Sequence, residues 1–224
     1  MIETTYIDHM GSDLSVVNSA RVSFGKKSEW MPRIHYGEEL VLKPKDAKLI
    51  RYLAKNNHKS PFNHTFTTFH VKAPVFVARQ LVKHEYMPWN EISRRYVDEE
   101  PEFYQPDVWR GRSADKKQGS GDAVNEVMQV GLNYEVKNTH MLALETYDHL
   151  IYQGVAPEQA RMVLPQSMMT EWYWSGTLFA FAKMCGLRLK EDTQAETRIV
   201  AEKIEDVMMK LYPVSWEALR MYEE

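Results

Sequence analysis

Residues 69–96 read FHVKAPVFVARQLVKHEYMPWNEISRRY. The run from Thr65 to Val71 is rich in β-branched and aromatic residues, which predicts a strand. Pro74 fits the first turn of a helix, and Phe76, Val77, Leu81 and Val82 give it apolar positions. Pro88 disfavours helical backbone at Met87, so the helix should end between His84 and Pro88. The tail, Lys83 to Tyr96, is too polar for a core and too aromatic for a linker. A strand therefore feeds a helix, and the helix end carries a polar, aromatic loop.

The flanking sequence extends this alternation. Thr4–Asp8 suits a short strand and Leu14–Phe24 a helix. Lys26–Lys43 lacks a clear period and reads as loop. Pro44 opens a helix through Asn57, with Leu49, Ile50 and Leu53 on one face. Ser60-Pro61-Phe62-Asn63 is a turn. Arg110–Asp122, RGRSADKKQGSGD, is polar and Gly/Ser-rich and reads as a flexible loop. A long helix is expected over Val124–Tyr152, closed by Gly154, and Pro157 opens the next. Gln166–Trp174 reads as extended and Thr177–Cys185 as an apolar helix stopped by Gly186. A last helix runs from about Thr193 to Leu211. The expected fold class is α+β, helix-rich with few strands, in one domain spanning 1–224.

Composition narrows the partners. The 224 residues are 44% hydrophobic and 26% charged, with net charge -3, an ordinary globular balance. No global basic field draws the chain to nucleic acid or membrane, so an anionic ligand needs a local cluster of cations. One cysteine, Cys185, excludes an internal disulfide. With no apolar leader in MIETTYIDHMGSD, the expected compartment is the cytoplasm.

Candidate chemistry begins with cations. Lys83, Arg94 and Arg95 lie near Ser93, and hydroxyl, guanidinium and free N–H groups are the usual ligands of a phosphate monoester. A solvated charged surface is the commoner reading of such a cluster alone. Arg161 and Arg188 sit in apolar contexts, where an arginine either snorkels or points into a polar pocket. His58, His64 and His70 are spaced by six. On one strand His64 and His70 would lie about 20 Å apart, too far to share an ion, so no metal site is expected. Cys185 reads as a small buried hydrophobe. No G-x-G-x-x-G or G-x-x-x-x-G-K loop is present.

Asn90-Glu91-Ile92-Ser93-Arg94-Arg95-Tyr96 resembles part of the signature of flavin-dependent thymidylate synthases, the ThyX family: Arg-His-Arg-x-x-Ser-x-Asn-Glu-x-Ser-x-Arg-Tyr. His84, Asn90, Glu91, Ser93, Arg95 and Tyr96 match. Lys83, Glu85 and Pro88 depart. Ala20–Phe24, the HKSPFNH turn at 58–64, Phe69–Gln80, Ala160–Pro165, Thr170–Trp174, Leu187-Arg188 and Gln194–Glu196 also follow family order. The match is weakest at Lys26–Lys43 and Arg110–Asp122.

The resemblance implies a homotetramer of α+β subunits with a small, mostly antiparallel sheet, and no nucleic-acid or membrane partner. It implies methylation of dUMP to dTMP with methylenetetrahydrofolate as carbon donor, and with FAD reduced by NADPH. By match, Gln80, Lys83, Glu91, Ser93, Arg94, Arg95 and Arg161 would hold dUMP, drawn from more than one subunit. Arg188 would polarise the uracil and serve as the catalytic residue. Ser60, Lys83, His84, Glu85, Gly176, Thr177, Phe179 and Lys183 fall on flavin-contacting positions. Glu85 and Phe179 stand where the family places arginines, and Thr177 where it places asparagine. The resemblance therefore implies a looser grip on flavin. Two other outcomes are a relative that makes another dUMP product, such as a hydroxymethylated pyrimidine, and a nucleotide-binding relative without flavin catalysis.

Overall fold

The computed structural model describes residues 1–33, 40–97, 99–113 and 119–222. In chain order the elements are β1 (Glu3–Met10), α1 (Asp13–Arg21), β2 (Met31–Pro32), β3 (Leu40–Val41), α2 (Pro44–Lys55), β4 (Phe66–Pro74), α3 (Val75–Leu81), β5 (Trp89–Glu91), α4 (Glu126–Tyr152), α5 (Pro157–Ala160), β6 (Met169–Thr177), α6 (Leu178–Arg188), α7 (Ala195–Leu211) and α8 (Pro213–Met221). The main sheet has the order β1-β4-β6-β5 with antiparallel neighbours throughout. The structure is thus α+β, helix-rich, with a small antiparallel sheet. Among the described residues no helix is long and apolar enough to cross a membrane.

Period-two burial organises the sheet. Thr67, Phe69, Val71 and Ala73 of β4 are buried, with less buried residues between them. On β6 the alternating buried set is Thr170, Trp172, Trp174 and Gly176. The register pairs Phe69 with Trp174 and Val71 with Trp172, so the buried sets share one face. Trp89 of β5 stacks on Trp172, with ring centres 4.4 Å apart and planes 17° apart. The sequence could not show that the signature stretch itself becomes an edge strand.

The helical layer closes over that face. Ile50 and Leu53 of α2, Phe181 and Met184 of α6, Ile204 and Met208 of α7 and Trp216 of α8 are buried together. Three expectations shift. The helix after β4 ends at Leu81, before the limit set by Pro88. Gly186 is buried inside α6 rather than ending it, and the helix runs to Arg188. Leu211 does not end the helical part, because Pro213 at a first-turn position starts α8. Of the loop expected at 110–122, residues 114–118 lie outside the described residues. Its flanks pair with each other: the Gly111 N–H donates to Asp122 O at 2.7 Å, and that of Gly121 to Gly111 O at 2.9 Å.

Buried polar groups tie the helices to one another. Asp13, at the start of α1, accepts the backbone N–H of Val214 and of Ser215, each at 2.9 Å. One carboxylate thus caps the first turn of a helix two hundred residues away in sequence. Asp46 is fully buried and accepts bonds from Arg21 and Ser28. Cys185 is fully buried, its thiol aimed at Ala201 O at 3.6 Å, and burial pushes its pKa up.

Asp13→Ala should leave two buried N–H groups unpaired and lower the unfolding free energy by about 2–3 kcal/mol in urea titration. An unchanged midpoint would show that water replaces the carboxylate. Cys185 should stay unmodified by an aromatic disulfide reagent in the native protein and react on denaturation. Rapid reaction under native conditions would mean that the α6–α7 packing opens readily.

Candidate active site

Each long central strand runs into a helix without a loop. β4 ends at Pro74 and α3 starts at Val75; β6 ends at Thr177 and α6 starts at Leu178. Thr177 is the N-cap of α6: its hydroxyl accepts the Ala180 N–H at 3.2 Å and donates to Asn63 Oδ1 at 2.8 Å. Gly176 before it is buried. A Cβ there would lie 2.9 Å from Met87 Cε, so the missing side chain makes room for the signature loop.

The C-terminal ends of α3 and α6 meet. Arg188 Nε donates to His84 Nε2 at 3.1 Å, and a second guanidinium nitrogen donates to Gln80 O at 3.0 Å. The first bond requires an unprotonated acceptor on His84. Burial supplies it, followed by the charges of Arg188 and Lys183, which together lower the His84 pKa to about 4. The Gln80 side chain donates to Gln194 Oε1, just before α7. The guanidinium is therefore fixed on two sides by neutral acceptors, and among the described residues no carboxylate pairs with it.

His84 lines one cavity, and a second shares part of its wall. The first, of about 660 Å³, is lined in part by Lys55, Lys59, His84, Phe179, Lys183 and Lys190. The second, of about 1070 Å³, is lined in part by Arg21, Lys26, Lys45, Lys48, His58 and Ser60. Asn57 and Lys59 belong to both walls, and no aspartate or glutamate lines either among the described residues. In a chain of net charge -3, two acid-free cavities with lysine walls point to anionic ligands.

The expected site residues fall into two groups. His84, Phe179 and Lys183 line the first cavity, Arg188 bonds to His84 and to Gln80 O, and Ser60 lines the second cavity. Lys83 and Glu85 flank His84 and are exposed. Glu91, Ser93, Arg94 and Arg95 leave on and after β5. Glu91 accepts from the Trp89 indole at 3.0 Å and from Thr170 at 2.6 Å. The Ser93 hydroxyl accepts from Arg95 Nε at 3.3 Å, Arg94 donates to Glu99 O, and the Arg95 guanidinium stands 5.0 Å from the Tyr96 ring centre. Arg161 is exposed in a turn after α5, packed against α4. Among the described residues no hydrogen bond or ion pair joins the second group or Arg161 to Arg188. The loop between the groups is strained at Tyr86, which is 91% exposed with φ of 59°. Lys55, Lys59 and Lys190 escape the sequence reading. The position of Lys59 beside Ser60 was the available signal.

Comparison with known proteins follows from this geometry. The family model described as "Thymidylate synthase complementing protein" matches residues 5–214. The flavin-dependent thymidylate synthase of Thermus thermophilus is 38% identical over 212 residues, 95% of this chain and 73% of that protein. The enzyme of the same name from Pseudothermotoga lettingae is 32% identical over 216 residues, 96% of this chain and 89% of that one. A UMP/dUMP methylase, PolB from Streptomyces cacaoi, solved with 5-Br dUMP, superposes with a TM-score of 0.84 at 32% identity, covering 99% of this chain and 96% of that one. With the match running from the first strand into the last helix, and with relatives 32–38% identical over most of the chain, the chain belongs to the thymidylate synthase complementing protein (Thy1) family.

Proposed function

We propose that this chain is a flavin-dependent thymidylate synthase, converting dUMP to dTMP with methylenetetrahydrofolate as carbon donor, FAD as cofactor and NADPH as reductant. The observation that carries the reading is the guanidinium of Arg188, held by Gln80 O and by His84 Nε2, where His84 itself lines an acid-free cavity. For C5 of uracil to attack a one-carbon unit, negative charge must spread over the ring toward N3 and its carbonyl oxygens. A fixed, partly buried cation at that edge stabilises the charge as it develops, with little reorganisation. His84 supports this role only while neutral, and its lowered pKa keeps it so at physiological pH. Lysine in place of Arg188 could not keep both anchors in a planar fork.

The wall chemistry fits a flavin dinucleotide: cations for its phosphates, and Phe179 and His84 as flat partners for a ring. When bound, the flavin would supply the hydride that completes the methyl group. Ser93, Arg94, Arg95 and Arg161 suit the 5′-phosphate, and their separation from Arg188 in one chain supports sites completed by another subunit. The apolar face of α4 supports the same reading. Val127, Val130, Tyr134 and Leu142 are each more than 60% exposed, as at surfaces that associate. On this reading Glu91 positions the loop through Trp89 and Thr170 as well as facing ligand.

A second substrate also has a specific motive. The same PolB was solved with 5-Br UMP, at a TM-score of 0.85 and 30% identity to this chain. Ribonucleotide UMP is therefore a candidate alongside dUMP. Incubating the full chain with FAD, NADPH, methylenetetrahydrofolate and either nucleotide tests both readings. Methylated nucleotide that forms only when flavin is present supports the assignment. Nucleotide binding without any C5 product would leave a binding protein.

Arg188→Ala should fold normally and lose about 10²–10³ in rate, the usual loss for one donor aimed at developing charge. A near-normal rate would remove Arg188 from the site. Arg95→Ala should weaken dUMP binding roughly tenfold or more, measured by calorimetry, as expected for a charged hydrogen bond to phosphate. Unchanged affinity would reduce the Ser93–Arg95 cluster to a solvated face.

A further inference from the structure

Two cations of the family pattern are missing here, at Glu85 and Phe179, and the resemblance alone implies a poor grip on an anionic cofactor. The fold supplies charge from elsewhere. Lys59, in the turn after α2, holds its ammonium 5.4 Å from the centre of the Phe179 ring. The ring thus restrains a cation at the wall where position 179 projects. The chain reaches that turn through Asn57, whose φ of 56° redirects the backbone after α2. No carboxylate pairs with Lys59 among the described residues. Lys59 also lies where the two cavities share a wall. A ligand with a ring system at each end and an anionic middle, laid across both cavities, would bring its middle to this residue.

We propose that Lys59, seated over Phe179 at the junction of the two cavities, is a cofactor-binding residue that takes the diphosphate of the flavin dinucleotide and replaces the charge absent from position 179. This inference rests on the flavin reading above. A compact ammonium suits it, because a diphosphate offers several oxygens around a point charge. It assigns the second cavity to the nucleotide end of the cofactor and the first to the flavin ring beside Arg188. It also makes the Phe179 departure part of a paired change, in which an aromatic ring and a lysine from another element together do the work of one arginine.

The test is fluorescence titration of FAD and riboflavin into the full chain after flavin removal, with dUMP binding by calorimetry as the control for fold. Lys59→Gln should weaken FAD roughly tenfold or more at low salt and leave riboflavin and dUMP unchanged. Lys59→Arg should keep the affinity, and Lys59→Gln with Phe179→Arg should regain it. Wild-type affinity for FAD in Lys59→Gln overturns the assignment. Equal losses for riboflavin and FAD place Lys59 at the ring and overturn the diphosphate contact. A wild-type chain that binds dUMP but no FAD ends the flavin reading itself, and this inference with it.

Discussion

The pairing of β4 with β6 is the constraint on which the site depends. Nine consecutive residue pairs hold the two strands antiparallel, from Phe66–Thr177 to Pro74–Met169. Because each strand passes directly into a helix, α3 and α6 leave from opposite ends of one ladder. A nine-residue strand spans about 30 Å, and helices of seven and eleven residues rise about 10 and 16 Å. Helices of these lengths, leaving the two ends, can bring their C-termini together near the middle, where Arg188 meets Gln80 and His84. A slip of one residue would turn Phe69, Val71, Trp172 and Trp174 to the wrong face. The buried tryptophans therefore hold the catalytic geometry by refusing any other register.

Charge is distributed to the same end. Buried carboxylates are satisfied within the scaffold: Asp13 caps α8, and Asp46 meets Arg21 and Ser28. Neither contributes negative charge to a cavity wall beyond neutralising Arg21. Lysines on α2, α6 and the intervening turn line the cavities, and among the described residues none of them pairs with an acid. The His84–Arg188 bond follows the same logic. A carboxylate in place of His84 would hold the guanidinium more firmly but would cancel its field, which the proposed role of Arg188 requires. A neutral imidazole positions the cation and leaves its charge available.

Much of this was legible in the sequence where period and punctuation agree. The strand expected over Thr65–Val71 appears as β4, the helix expected at Pro74 starts one residue later, and the long helix ends near Gly154. Boundaries were less legible where a residue's local preference is overridden by packing. Gly186 reads as a helix stop, yet it is buried in the last turn of α6 and the helix runs on to Arg188. α8 was missed because Pro213 can end one helix or start the next, and only Asp13, far away in sequence, decides for the start. In the site, the signature residues were readable by type and order. Lys59 was not, because its partner Phe179 lies 120 positions on and the ring contact exists only once α6 is docked.

A single chain carries two deficits. Ser93, Arg95 and Arg161, proposed above for the 5′-phosphate, make no bond among the described residues to the group around Arg188. Its longest helix, α4, exposes Val127, Val130, Tyr134 and Leu142 to water. Association of copies through apolar surface is the one change that addresses both, because it buries the helix face and carries one chain's loop toward another chain's cavity. Under the proposed assembly, the strained, exposed Tyr86 between the two groups also gains a reason. A loop that must present Lys83 and His84 to its own cavity, and Ser93 and Arg95 outward, has to reverse direction between them. A left-handed residue is the shortest way for the backbone to do so.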